Sequence, residues 1–100
     1  MLMTNGNSKF ELGKTVMTQG IAMKMDANPQ FKTDVRVAFQ KFCQADWSDM
    51  EYEEDKQMNE IAIENGDDRI FATYNTCEGK IYIITEWDRS VTTILFPEEY

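Results

Sequence analysis

Three stretches rich in β-branched and aromatic residues fill the C-terminal third of the chain, with only short turns between them. They span residues 69–77, 80–87 and 91–96. Such composition is typical of β-strands. Glu78-Gly79 marks the first turn, with glycine where the backbone needs a positive φ. Asp88-Arg89-Ser90 marks the second turn. Because connections this short join antiparallel neighbours, the sequence predicts a three-stranded antiparallel meander.

The first half of the chain carries one short strand signal and two helix signals. The strand is predicted over residues 14–18, after Gly13, and Thr18 can cap a short helix over residues 21–25. Asn28-Pro29 then begins a longer helix, because asparagine is a good N-cap and proline suits the first helical position. Apolar residues recur at three- and four-residue spacing as far as about Ala45, namely Phe31, Val35, Ala38, Phe39 and Phe42.

A third helix is predicted from about Tyr52 to Asn65, ending at Gly66, a typical residue just past a helix. Met58, Ile61 and Ala62 form its narrow apolar stripe and are expected to face the core. Acidic residues crowd its first turn, where the helix dipole favours negative charge.

These elements predict an α+β fold. The expected sheet is small and antiparallel, combining the short N-terminal strand with the C-terminal meander, and two to three helices pack against it. One hundred residues suit one domain. We expect that domain over residues 10–100, preceded by a disordered or non-native tail at residues 1–9.

The composition argues against several classes of function. The chain has no histidine, the commonest general base and a frequent zinc ligand. Cys43 and Cys77 each lie in an apolar run, so we expect two buried free thiols in a cytoplasmic protein. No phosphate loop, nucleophile elbow, calcium loop, secretory signal or membrane-spanning run is present. We therefore expect a protein that is not an enzyme and binds no cofactor or metal.

Charge is concentrated between Asp46 and Asp68, where ten acids face one base, Lys56, for a net −9 within a chain of net −8. Such a segment repels phosphate backbones and attracts basic surfaces, including the nucleic-acid channels of other proteins. Direct nucleic-acid binding is accordingly disfavoured. The predicted partner contacts are Trp47, Asp49, Glu51, Glu53, Glu54, Asp55, Glu60, Glu64, Asp67 and Asp68.

Trp47 has two interpretations. Exposed, it would anchor a partner within a ring of charge; buried, it would join the second helix to the third, which we favour. Burial is also expected for Trp87, at the end of the middle strand.

Two other functions remain open. The polar hairpin at Glu86, Asp88, Arg89 and Ser90 could bind a small ligand or a divalent metal, with Arg89 holding an anion, although these are also ordinary turn residues. Alternatively, exposed aromatic residues could serve only to form a homodimer.

The C-terminal half also carries an ordered set of short motifs. They are Trp47-Ser48-Asp49, Glu54-Asp55-Lys56, Asn59-Glu60, Gly66, Tyr74, Ile83-Ile84-Thr85-Glu86, Asp88-Arg89-Ser90, Thr92-Thr93-Ile94-Leu95 and Pro97-Glu98-Glu99-Tyr100. In this order they resemble a family of small, mostly uncharacterised proteins carried on plasmids, integrative elements and phages. Glu78-Gly79 stands where the family has Asp-Gly, which preserves the turn.

The resemblance implies a genomic setting and does not identify catalytic residues. Small acidic proteins of mobile elements often act against host defences by occupying the nucleic-acid site of a restriction or CRISPR effector. The resemblance therefore implies an anti-restriction or anti-CRISPR protein that imitates nucleic acid and binds a basic surface of a host nuclease or other effector.

Overall fold

The helices and strands follow the predicted order along the chain. The computed structural model describes residues 8–100. Its elements are strand β1 (Lys14–Met17), helices α1 (Gln19–Ala27), α2 (Pro29–Cys43) and α3 (Glu53–Asn65), strands β2 (Ile70–Thr76), β3 (Gly79–Thr85) and β4 (Val91–Leu95), and a short 3-10 helix at Pro97–Glu99. This is the α+β fold that the sequence predicts.

Residues 1–7 of the predicted N-terminal tail lie outside the described residues. Residues 8 and 9 are joined to the domain, since the Lys9 backbone N–H donates to the Cys43 carbonyl at 2.8 Å.

The four strands form one sheet in the order β1-β4-β3-β2. Strands β2, β3 and β4 are the predicted antiparallel meander. Gly79 has a φ of +97°, as its place beside the first turn requires. Strand β1 runs parallel to β4, so the sheet is mixed rather than wholly antiparallel. A parallel pair needs a long crossover connection, and the intervening helices and strands supply it.

The two predicted caps fix the start of α1 and α2. The Thr18 hydroxyl accepts from the Ile21 N–H at 3.3 Å, and Asn28 Oδ1 accepts from the Gln30 N–H at 3.0 Å. All five predicted apolar residues of α2 are buried. Helix α2 ends at Cys43, slightly before the predicted end, because Ala45 adopts a left-handed φ of 57°.

The core lies between α1, α2 and one face of the sheet. Its largest fully buried side chains include Phe31, Phe39 and Phe42 of α2 and Ile70, Tyr74, Ile81, Ile83 and Ile94 of the strands. Helix α3 lies beside the strand at the sheet edge and adds buried Ala62 and partly buried Ile63 to this core.

Two burial predictions outside α3 are wrong. Cys43 is buried, but Cys77 is exposed because it lies in the turn between β2 and β3. Trp87 is 63% exposed because β3 ends at Thr85. Trp87 therefore belongs to the β3–β4 turn and not to the inward-facing row of the strand.

Candidate interaction surface

Asn59 is the polar side chain through which helix α3 bonds to the free edge of the sheet. Strand β2 is an edge strand, and its Phe71 backbone N–H donates to Asn59 Oδ1 at 3.1 Å. Asn59 Nδ2 donates in turn to the Phe71 carbonyl at 2.8 Å. Asn59 is 4% exposed. It thus satisfies the two Phe71 backbone groups that a neighbouring strand would otherwise bond. This pair of bonds attaches the middle of α3 to the strand.

The predicted apolar stripe of α3 is wrong for two of its three residues. Ala62 is buried, but Met58 is 61% exposed and Ile61 is 56% exposed. A strand edge presents backbone N–H and C=O groups rather than an apolar surface. The helix therefore faces the edge with Asn59, and Met58 and Ile61 remain exposed, whereas Ile63 is partly buried and packs on the core.

Different groups cap the two ends of α3. Glu53, Glu54 and Asp55 occupy the first turn, where the helix dipole favours acids. Gly66 closes the other end with a left-handed φ of +70°. There Arg89 Nη2 donates to the Ala62 carbonyl at 2.9 Å, so a cation meets the negative end of the dipole.

Eight carboxylates around α3 are exposed. We call this set the acidic surface: Glu51, Glu53, Glu54, Asp55, Glu60, Glu64, Asp67 and Asp68. Glu53, Glu60 and Glu64 follow one side of the helix, since residues seven and eleven apart return to nearly the same direction at about 100° per residue. The others lie on neighbouring sides or in the two flanking loops. All eight thus belong to a single element and its ends.

The protein's own cations neutralise little of this charge. Within residues 8–100, two ion pairs involve the 46–68 segment: Lys56 Nζ lies 3.9 Å from Glu53 Oε1, and Lys41 Nζ lies 3.3 Å from Asp49 Oδ1. The Glu53 side chain is 75% exposed, and such exposed pairs are worth only about 0–1 kcal/mol. The surplus of negative charge therefore remains at the surface.

Trp47 and Asp49 do not belong to this surface. Trp47 is 6% exposed, so the favoured interpretation is confirmed, and its Nε1 donates to Glu60 Oε2 at 2.6 Å. This bond links the α2–α3 loop to α3. Asp49 accepts from the Asn75 backbone N–H at 3.0 Å as well as pairing with Lys41. Trp47 and Asp49, which the sequence predicts as partner contacts, instead bond to other parts of the fold.

The loop before α3 is further fixed by Asp46. Its carboxylate accepts hydrogen bonds from the Ser48 side chain and backbone, which hold the pKa of Asp46 below its usual range. The Tyr74 hydroxyl donates to the Asp46 carbonyl at 2.9 Å. Burial, followed by the nearby Asp46 and Asp49 carboxylates, raises the pKa of Tyr74. The tyrosine is therefore a neutral donor in this loop.

The alternative site at the β3–β4 hairpin is arranged as a turn. Arg89, which has a φ of 60°, donates through Nη1 to the Asp68 carbonyl at 2.6 Å and to the carbonyls of Glu86 and Trp87 at 3.2 Å. With Nη2 on Ala62, the guanidinium joins the hairpin to the end of α3. Its donors are directed at backbone carbonyls rather than at an open anion site.

The other members of this hairpin are also engaged locally. Asp88 Oδ1 accepts from the Ser90 hydroxyl at 2.6 Å and from the Ser90 N–H at 3.1 Å. These bonds lower the pKa of Asp88. In the described part of the chain, no three Cys, Asp or Glu side chains come together in a way that could hold a metal ion.

A cleft of about 280 Å³ opens between α3 and the start of β2. Its lining residues are Asp55, Met58, Asn59, Asp68, Arg69 and Phe71. No local sequence pattern indicates this cleft, because it depends on Asn59 rather than Met58 facing the strand.

Comparison of the chain with protein-family models, with curated proteins and with solved structures found no match. Between residues 8 and 100, no helix combines the length and the apolar character needed to span a bilayer.

Proposed function

We propose that this is a non-enzymatic, cytoplasmic interaction protein of a mobile genetic element, and that α3 and its flanking loops bind a basic surface of a host protein. The surface it occupies is one that otherwise holds nucleic acid. Its effect is to inhibit a host defence system, of the restriction or CRISPR kind.

The observation that supports this proposal is the unneutralised acidic surface. Eight exposed carboxylates surround one helix, and Lys56 makes the one ion pair described among them. The fold alone does not require that arrangement, because acids near the C-terminal end of a helix interact unfavourably with the helix dipole. Glu64, Asp67 and Asp68 lie at that end. A partner of positive charge would be attracted to them.

The spacing of the charges supports imitation of nucleic acid. Glu53 and Glu64 are separated by about 16 Å along the helix, at about 1.5 Å per residue. Five carboxylates fall within this length, namely Glu53, Glu54, Asp55, Glu60 and Glu64. Averaged around the whole helix, that is about one charge per 3–4 Å, close to the density of one phosphate per about 3.4 Å along one DNA strand, although Glu53, Glu60 and Glu64 on one side lie about 6–11 Å apart along the axis. A channel that binds a phosphate backbone would therefore meet a similar density of charge.

The polar hairpin is not proposed as a second site. The Arg89 guanidinium and the Asp88 carboxylate already have partners within the protein, so no observation favours a ligand there.

Neutralising the acidic surface tests the proposal. The triple variant Glu54→Gln, Glu64→Gln, Asp67→Asn removes exposed charges that have no hydrogen bond or ion pair described within residues 8–100. It spares Glu60, which binds Trp47. We expect affinity capture from host lysate at low salt to recover a nucleic-acid-binding protein with the wild-type chain and to lose it with this variant.

The matched control is Glu11→Gln, Asp26→Asn, Glu98→Gln, which removes the same amount of charge from positions outside the acidic surface. The control should capture the partner nearly as well as wild type. Equal loss in both variants would show that only net charge matters, and undiminished capture by the first variant would refute the proposal. Circular dichroism and urea midpoints would verify that both variants fold.

A further inference from the structure

Two large apolar side chains lie exposed in the middle of the acidic surface. Met58 is 61% exposed and Ile61 is 56% exposed. Glu54, Met58 and Ile61 follow one another at four- and three-residue spacing, so they share one side of α3. A surface that bound its partner purely by charge would not need apolar side chains there. Exposed apolar residues rimmed by polar ones are typical of protein-binding surfaces.

The cleft beside Met58 combines apolar walls with carboxylates. Met58 and Phe71 supply apolar surface, and Asp55 and Asp68 supply negative charge. Neither carboxylate has an ion pair described within residues 8–100, although Asp68 Oδ1 accepts from the Arg69 backbone N–H at 2.7 Å. Lysine and arginine have this same dual character, with an apolar stem and a charged end.

Arg69 shows how a cationic side chain is accommodated next to this cleft. Its guanidinium carbon lies 5.4 Å from the centre of the Phe71 ring and 5.9 Å from that of Tyr100, within cation–π range. Its Nη1 donates to the Tyr100 hydroxyl. Arg69 is therefore held on the aromatic side, and the two carboxylates face the cleft without pairing with it.

Resting on the proposed function, we infer that this side of α3 binds an amphipathic basic segment of the partner protein, in which apolar residues at helical spacing lie among lysines or arginines. The apolar residues pack on Met58 and Ile61, and one basic side chain enters the cleft between Asp55 and Asp68. Charge complementarity selects this occupant. A second copy of the chain would instead bring two acidic surfaces together, which like-charge repulsion opposes.

This inference differs from charge imitation alone in its dependence on salt. Attraction between exposed charges is largely lost in about 1 M salt, where the screening length is about 3 Å. Contact between apolar side chains is not screened in this way. Part of the affinity should therefore persist at high salt and should depend on Met58 and Ile61.

Synthetic peptides provide a defined probe. One peptide contains lysine and leucine, with leucine at helical spacing, and a second carries serine in place of each leucine. We expect calorimetry to show that the first peptide binds at least about tenfold more tightly, equivalent to about 1.4 kcal/mol. With 13C-methyl methionine labelling, the Met58 signal should shift on binding and the Met23 signal should not.

The variant Met58→Gln, Ile61→Gln should lose this tenfold preference while retaining binding to the serine peptide. Its matched control is Met23→Gln, Val37→Gln, which removes two exposed apolar side chains elsewhere, 63% and 44% exposed. The control should behave as wild type.

The outcomes separate this inference from the proposed function. Equal affinity for both peptides, no binding of either peptide, or a Met58 signal that does not move would overturn the inference. A dimer detected by sedimentation, if the Met58→Gln, Ile61→Gln variant dissociated it, would overturn the inference as well. If the inference fails while capture still depends on Glu54, Glu64 and Asp67, the proposed function stands as charge imitation alone.

Discussion

Replacing Asn59 with alanine tests how α3, and with it the acidic surface, is attached to the sheet. The Asn59 side chain makes both of its described backbone hydrogen bonds to Phe71, at 2.8 and 3.1 Å. Alanine preserves helix propensity but removes both bonds. The Phe71 N–H and C=O then lose their partner at a part-buried strand edge.

The expected cost follows from these two bonds. Each contributes about 1 kcal/mol net, and an unsatisfied buried group costs about 1–3 kcal/mol. Because Phe71 is only part-buried, water can replace some of what is lost, and we expect a decrease of about 2 kcal/mol in the free energy of unfolding. For a domain of this size, that lowers Tm by about 8–16 °C.

Urea denaturation and amide hydrogen exchange provide the assay. Asn59→Ala should speed exchange at the Phe71 amide, which the side chain protects directly. Asn65→Ala is the control, since Asn65 is exposed on the same helix; it should change stability by less than about 0.5 kcal/mol. If Asn59→Ala proved as stable as this control, with Phe71 exchange unchanged, the proposed attachment of α3 would be wrong.

Three further predictions concern Arg89, the hydrogen-bonded aspartates and the two tryptophans. Arg89→Ala should lower the free energy of unfolding by about 2 kcal/mol, because bonds from a charged group to several carbonyls are lost. Arg89→Lys should recover less than half of that loss, and an unchanged urea midpoint for Arg89→Ala would contradict the capping role of Arg89. Hydrogen bonds lower the pKa values of three carboxylates in the folded state: Asp34 of α2, which accepts from the Cys77 backbone N–H at 2.8 Å, Asp46 and Asp88. Their contribution to stability is present above the unfolded pKa of about 3.9 and is lost as pH falls through the folded pKa values. Urea midpoints should therefore decrease below about pH 4, and midpoints that increased there would refute the sign. Trp47 is buried and Trp87 exposed, so acrylamide should quench about half of the tryptophan emission, and Trp87→Phe should leave a blue-shifted, protected emission; equal quenching of both residues would contradict the placement of Trp47.

The features that the sequence predicts well depend on neighbouring residues. Thr18 and Asn28 cap helices because their side chains reach backbone N–H groups two or three residues ahead. Gly79 marks its turn through its own backbone freedom. The stripe of α2 is confirmed because that helix packs on an apolar sheet face, for which apolar periodicity is the appropriate signal.

The features that the sequence does not predict depend on distant partners. Strand β1 pairs with β4, more than seventy residues away, and no local signal specifies a parallel neighbour. Helix α3 meets a strand edge, so a polar residue faces inward and the apolar periodicity of Met58 and Ile61 is misleading. Trp87 has strand-like neighbours in sequence, but the strand ends before it reaches that position.

The same reasoning applies to the candidate surface. Charge density along residues 46–68 is visible in the sequence, and eight of the ten acids there are exposed. The roles of Trp47 and Asp49 are not visible, because each is set by a partner in another element, Glu60 for the first and Lys41 with Asn75 for the second. From the sequence alone Arg89 is a candidate ligand-binding residue, because the α3 carbonyl to which it donates is distant in the chain.

Competition with nucleic acid tests the central claim most directly. A host protein captured on the immobilised chain would be challenged with short duplex DNA or single-stranded RNA at constant ionic strength. If α3 occupies a nucleic-acid site, the nucleic acid should release the captured protein in proportion to its concentration, and the Glu11→Gln, Asp26→Asn, Glu98→Gln control should require about as much of it as wild type. A captured protein that stays bound at saturating nucleic acid, or that binds both at once, would contradict the claim.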